Sequence, residues 1–126
     1  MLDTKAYVYG ILKNDAALVA ALGSNTKIQY SYPNDFNTLP VITYMESNNR
    51  MTDWYDDMPA AEESTITIDV WANVSTSALT KLVDAAMATA LYTRDFAADV
   101  PDPDAKIFHK ALRYRRTFTA DDLDTI

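Results

Sequence analysis

The segment ITIDVWANVSTSALTKLVDAAMATAL, residues 66–91, changes its period halfway along. Ile66, Ile68 and Val70 alternate with Thr67, Asp69 and Trp71, the two-residue period of a half-buried strand. After Asn73–Ser77 the apolar residues recur as Leu79, Leu82, Val83, Ala86, Met87, Ala90 and Leu91, the spacing of one helical face. A strand over Thr65–Ala72 therefore feeds a helix from about Thr76 to Tyr92, with Ser75 or Ser77 as its cap. Sixteen helical residues cover about 24 Å, and eight strand residues about 26 Å. A Leu79/Leu82/Ala86/Ala90 stripe can thus cover the Ile66/Ile68/Val70 face along its length. Trp71 sits on the opposite strand face with Thr65, Thr67 and Asp69, and that face needs another cover.

Working outward, Asp3 or Thr4 can cap a first helix whose stripe is Val8, Ile11, Leu12, Leu18, Val19 and Leu22, stopped by Gly23. Asn14-Asp15 can start a second short helix, so one bent helix and two in series both fit. Lys27–Tyr32 reads as a strand ended by Pro33, and Val41–Glu46 as another entered from Pro40. Residues 47–63 lack apolar periodicity and read as a long flexible loop. Asp95–Ala105, with Pro101 and Pro103, reads as a surface linker. Ile107–Phe118 is the last strand, with Phe108, Leu112, Tyr114 and Phe118 on one face and His109, Arg113 and Arg115 on the other. Residues 119–126 form an acidic tail expected to fray. The order α-β-β-β-α-β predicts a single α+β domain over residues 1–126, a two-layer sandwich with the helices on one face of one sheet. The other face, carrying Trp71, Arg113 and Arg115, is left bare.

Composition narrows the function. A chain of 126 residues that is 48% apolar and 23% charged has ordinary globular proportions. No apolar run approaches the ~20 residues of a membrane span, and MLDTKAYVYGILK does not read as a signal peptide. The absence of cysteine excludes disulfides, thiol catalysis and Cys-ligated metals. The net charge of −7 opposes electrostatic wrapping of nucleic acid. That charge is segregated. Glu46, Asp53, Asp56, Asp57, Glu62 and Glu63 face only Arg50 within residues 46–63, whereas Lys106, Lys110, Arg113, Arg115 and Arg116 occupy 106–116 without an acid. Two such patches are either solvated faces or the two sides of a head-to-tail contact.

The signals for enzyme chemistry are weak. His109 is the only histidine, and no nucleophile elbow accompanies it. DWYDDM and DVPDPDAK are acidic but lack the glycine and closing glutamate of a calcium loop, so no metal site is assigned. With two glycines, no phosphate-cradling loop can be written, and no cofactor is assigned. The aromatics carry more. Trp54 and Tyr55, amid Asp53, Asp56 and Asp57, either pin the 47–63 loop or anchor a partner; Trp71 reads as an interface residue.

Taken in order, KNDAALVAALG, IQYSYPNDFNTLPVITYMES, the long loop, TITIDVWANVSTSALTKLVDAAMATAL and the closing RYRRTFTADDL resemble the small tail-completion proteins of long-tailed bacteriophages and prophages, also called tail terminator or tail-to-head joining proteins. LPVITY, DVWA and the Ser/Thr-capped helix behind it are the most telling pieces. The resemblance implies a non-enzymatic virion protein, assembled in the host cytoplasm and found at the head–tail neck. It would form a ring, in this family a hexamer, on the end of the tail tube and present a surface to the head connector. DNA would pass through without specific binding, and no membrane is involved. On that footing Trp71, Asp69, Arg113, Arg115 and Arg116 are candidate subunit or tube contacts. Arg50, Trp54, Tyr55, Asp56 and Asp57 are candidates for partner contact or for lining an acidic lumen that repels phosphates. Two alternatives stay open: a head-completion stopper or adaptor of the same neck, and an unrelated small enzyme or binding module with the loop as a lid.

Overall fold

The structure, a computed structural model, describes residues 2–55, 58–101, 103 and 106–125, apart from the side chains of residues 53–60. Its elements are α1 (Thr4–Lys13), α2 (Ala16–Leu22), β1 (Ile28–Tyr30), β2 (Val41–Tyr55), β3 (Met58–Ala72), α3 (Ser77–Thr89), β4 (Thr93–Asp99), β5 (Phe108–Thr119) and α4 (Ala120–Thr125). The fold is α+β, with one five-stranded sheet in the order β1-β2-β3-β5-β4. β1 joins β2 in parallel and the remaining pairs are antiparallel.

Two N-terminal helices form because two caps are available. The Asp3 carboxylate accepts from the Ala6 N–H at 3.2 Å, and Asp15 from the Leu18 N–H at 3.0 Å. Gly23, at φ 93°, ends α2 in the left-handed conformation that glycine adopts without penalty. α1, α2 and α3 all lay their apolar stripes on one sheet face. Val8, Leu12, Leu18, Val83 and Met87 meet Ile42, Ile66, Ile68, Val70, Leu112, Tyr114 and Phe118 in a continuous core. The buried stripe of α3 is Leu79, Val83, Ala86 and Met87, with Leu82 and Ala90 at its margins. It lies one position round from the expected stripe, because Val83 and Met87 continue from Leu79 in steps of four.

α3 ends in a Schellman motif: the Tyr92 N–H donates to the Met87 carbonyl and the Leu91 N–H to the Ala88 carbonyl, each at 3.0 Å. The motif places Leu91 at φ 65°, where glycine is usual, and its side chain is 70% exposed.

Three segments depart from the sequence expectation. Residues 47–63 are not a long loop. Apart from residues 56 and 57, which lie outside the described set, they form the far arms of a β2–β3 hairpin, paired from Asn48↔Thr65 to Tyr55↔Met58 beyond a bulge at Glu46/Asn48. The β2 arm is largely exposed, and the buried positions of the β3 arm, Ala61, Glu62 and Ser64, are small or polar, so no apolar alternation betrays the strands. Part of the expected 95–105 linker is β4, an edge strand whose side chains are nearly all exposed. The expected frayed tail begins as α4, started by a reciprocal capping box in which Thr119 Oγ1 accepts from the Asp122 N–H and Asp122 from the Thr119 N–H. Those bonds lower the Asp122 carboxyl below its ordinary pKa.

Candidate contact surface

The face opposite the helices is built by strand alternation. β3 points Glu63, Thr65, Thr67, Asp69 and Trp71 outward, and β5 sets Arg115, Arg113 and His109 beside Thr65, Thr67 and Trp71. Trp71 is half-buried. Its indole stacks on the His109 ring with centroids 3.7 Å apart and planes within 13°, and its Nε1–H donates to Thr43 Oγ1 at 2.9 Å. His109 Nε2 lies 2.7 Å from Asp69 Oδ1. Tryptophan, histidine and aspartate thus hold one another flat against the sheet.

The expectation that nothing in the chain covers this face is corrected at one end. The short 3-10 turn Phe36–Thr38 folds over it, and Phe36 meets the Trp71 ring edge-on at 5.6 Å. Beneath that turn Val41 and Thr43 are buried. Phe36 itself stays 48% exposed, so the aromatic cluster presents a rim to solvent.

The arginines divide between the two faces. Arg113 donates through Nε to Asp95 Oδ1 at 2.8 Å, and Arg115 reaches Asp95 Oδ2 at 3.2 Å. Both guanidinium side chains remain about half exposed, and Arg113 lies over the Phe96 ring. Lys110 pairs with Asp99 at 3.4 Å. The basic strand is therefore partly neutralised from within by β4, the strand that periodicity missed. Exposed pairs of this kind contribute about 0–1 kcal/mol each; their role is to fix where the guanidinium groups point. One carboxylate shared by two arginines leaves the cluster with an excess positive charge.

Arg116 does not share the face of Arg113 and Arg115. Following the alternation of Tyr114 and Phe118, it turns to the helix side, donates to Tyr7 Oη and the Ala90 carbonyl at 2.7 Å each, and covers the Phe118 ring. Only 10% of its side chain is exposed, so it ties α1 and α3 to β5 rather than offering a contact. Arg50, in the far arm of β2, pairs with Glu63 at 3.3 Å and is otherwise exposed. The Trp54 and Tyr55 side chains, and Asp56 and Asp57 altogether, lie outside the described residues.

Chemically this face presents aromatic rims and half-exposed guanidinium groups. The His109 ring is held between the Asp69 carboxylate and the Trp71 indole. Among the described residues no group of three His, Cys, Asp or Glu side chains is arranged to hold a metal. No helix among them is long and apolar enough to cross a membrane. Asp95, Phe96 and Phe36 escaped the sequence reading. The one available signal for Asp95 and Asp99 was their four-residue spacing just after a helix, opposite a strand rich in bases.

Sixteen chains of solved structures match this one. One of them belongs to a structure described as the virion of a native gene transfer agent particle, with a TM-score of 0.59 and 20% identity over 86% of this chain and 88% of that one. At that identity the likeness is one of fold. No curated protein matches the chain. The sequence model of the family described as tail completion protein gp17 matches residues 6–119, from the first turn of α1 to the last residue of β5. Across almost its whole length, then, the chain belongs to the tail completion protein gp17 family and is a tail structural protein.

Proposed function

We propose that this protein closes the end of the tail tube as a ring of its own copies and joins that end to the head connector, catalysing no reaction. The family match over residues 6–119 carries the reading. It is supported by a sheet face with an aromatic cluster at one end and two half-exposed arginines at the other, a composition favoured at protein contacts. Trp71, His109 and Phe36 supply affinity by excluding water. Arg113 and Arg115 select an acidic partner and speed encounter. The net charge of −7 keeps a passing DNA strand from adhering to the ring.

The test uses purified headless tails and tailless heads. The unaltered protein is expected to bind tails and to appear as a ring at the tube end in electron micrographs. Binding to heads alone would instead make it a stopper or adaptor on the head side. Removing an anchor from a contact core weakens binding by about 2 kcal/mol or more. Trp71→Ala and Arg115→Glu, each confirmed as folded by circular dichroism, are therefore expected to weaken capping at least ~10-fold. Normal capping by both variants would rule this face out as the contact.

A further inference from the structure

Residues 32–39 pass from β1 to β2 with little backbone support. The Ser31 N–H still donates to the Tyr44 carbonyl at 3.0 Å, and Val41 is already paired with Trp71. Between them the backbone bonds of the described residues are local: the Tyr32 N–H meets the Tyr30 carbonyl at 2.8 Å, and the Thr38 N–H the Asp35 carbonyl at 3.3 Å. Two side chains tie this strap to the rest of the fold. At its entry Gln29 Oε1 accepts from the Asn34 N–H at 2.6 Å, while Gln29 Nε2 donates to the Thr26 carbonyl at 3.1 Å. At its exit the Lys27 ammonium donates to the Thr38 carbonyl and, at 3.3 Å, to the Pro40 carbonyl. Phe36 lies between the two tethers in sequence.

Resting on the contact face proposed above, we propose that Lys27 is a positioning residue for it: Lys27 holds the strap down, so that Phe36 stays edge-on to Trp71 and completes the aromatic cluster. An ammonium group carries three donors and suits two converging carbonyls. Its own place is firm, because Lys27 closes the 3-10 turn Asn25–Lys27 immediately before β1, which the parallel ladder from Ile28↔Ile42 fixes to the sheet.

Apolar burial holds the strap only weakly, since residues 34–38 are all exposed. What it covers is dry: Val41 and Thr43 are buried, and the Trp71 indole donates to Thr43 Oγ1. The position of the strap therefore decides how much of Trp71 meets water. A side chain fixed in place before a partner arrives also spares the contact the cost of ordering it. Lys27 touches neither Trp71 nor Phe36 through these bonds; it acts through the strap.

The chain has two tryptophans, so a Trp54→Phe background leaves Trp71 as the single reporter. In that background Lys27→Met is expected to move Trp71 emission to the red and to speed its quenching by acrylamide, as water reaches the indole. With Trp54 restored, the same substitution is expected to weaken capping of headless tails about 10-fold, the size of one lost hydrogen bond to a charged group. Lys27→Arg can still donate to both carbonyls and should bring back both emission and capping, with unaltered circular dichroism throughout. Unchanged Trp71 emission in Lys27→Met would overturn the tether. Shifted emission with normal capping would overturn its part in the contact and leave the contact face standing. Normal capping by Trp71→Ala would sink the face and this proposal together. Should Lys27→Met not fold, Gln29→Leu, which cuts the tether at the strap's entry, is read in the same way.

Discussion

Between pH 10 and 12 the folded protein is expected to lose about 2 kcal/mol of stability through Tyr92 alone. Tyr92 is only 4% exposed. Burial pushes its phenol up to about 12, against a smaller opposing effect from the hydrogen bond with Ser64. The unfolded chain releases that proton near pH 10, while the folded one keeps it until about 12. In that window the unfolded state holds fewer protons, so stability falls as pH rises, by about 1.4 kcal/mol per pH unit at most. Below pH 10 the contribution is complete. Tyr114 acts in the same direction: burial comes first, and its donation to the Asp84 carboxylate, which only a protonated phenol can make, comes second. Urea denaturation at pH 9, 10.5 and 12 measures the slope. Tyr92→Phe should flatten part of it, at a cost of about 1 kcal/mol near neutral pH where Ser64 loses its partner. An unchanged slope in that variant would assign the alkaline loss elsewhere.

The second large effect is expected from Phe118→Ala. Phe118 is fully buried near the end of β5, with Tyr7 and Tyr92 edge-on at 5.6 and 6.2 Å and the Arg116 guanidinium 4.2 Å from its ring centroid. One ring thus joins α1, the end of α3 and the sheet. Removing it leaves a cavity that three elements cannot all close, a loss of about 3–5 kcal/mol. Against a typical total of about 5–15 kcal/mol, this should lower the urea midpoint by about 1–3 M. A cost below about 1 kcal/mol would mean that the ring is not the keystone described here.

Phe118 was legible in the sequence, and so was Trp71, for one reason. Wherever one face of an element is buried, the chain must alternate or repeat, and burial writes the period. Ile66, Ile68 and Val70, the α3 stripe, and Leu112 with Tyr114 follow that rule, and they decide the α+β fold. The far arm of β2 and the whole of β4 carry almost no burial on either face, and the buried positions of the β3 arm, Ala61, Glu62 and Ser64, are small or polar. Their strands are held by backbone bonds, which any side chain permits, so Asn48–Thr52 and Arg94–Ala98 left no periodic mark. The same gap hid half of the candidate site. Without β4, only the spacing of Asp95 and Asp99 hinted that Asp95 would hold Arg113 and Arg115, so the basic strand read as unpaired. Arg116 was misplaced for a different reason. Counted as one of a cluster of charges it joins its neighbours, whereas the alternation already visible in Tyr114 and Phe118 puts it among the helices.

The two halves of β2 differ in what holds their amides. Val41–Tyr44 is buried, with Ile42–Tyr44 flanked by β1 on one side and β3 on the other; Ser47–Thr52 pairs with β3 alone among the described strands and is largely exposed. A single strand is thus expected to show two regimes of hydrogen–deuterium exchange. Amides in the first half should wait for global unfolding, and those in the second should trade with solvent through local fraying, orders of magnitude sooner. Uniform protection along the strand would contradict this division.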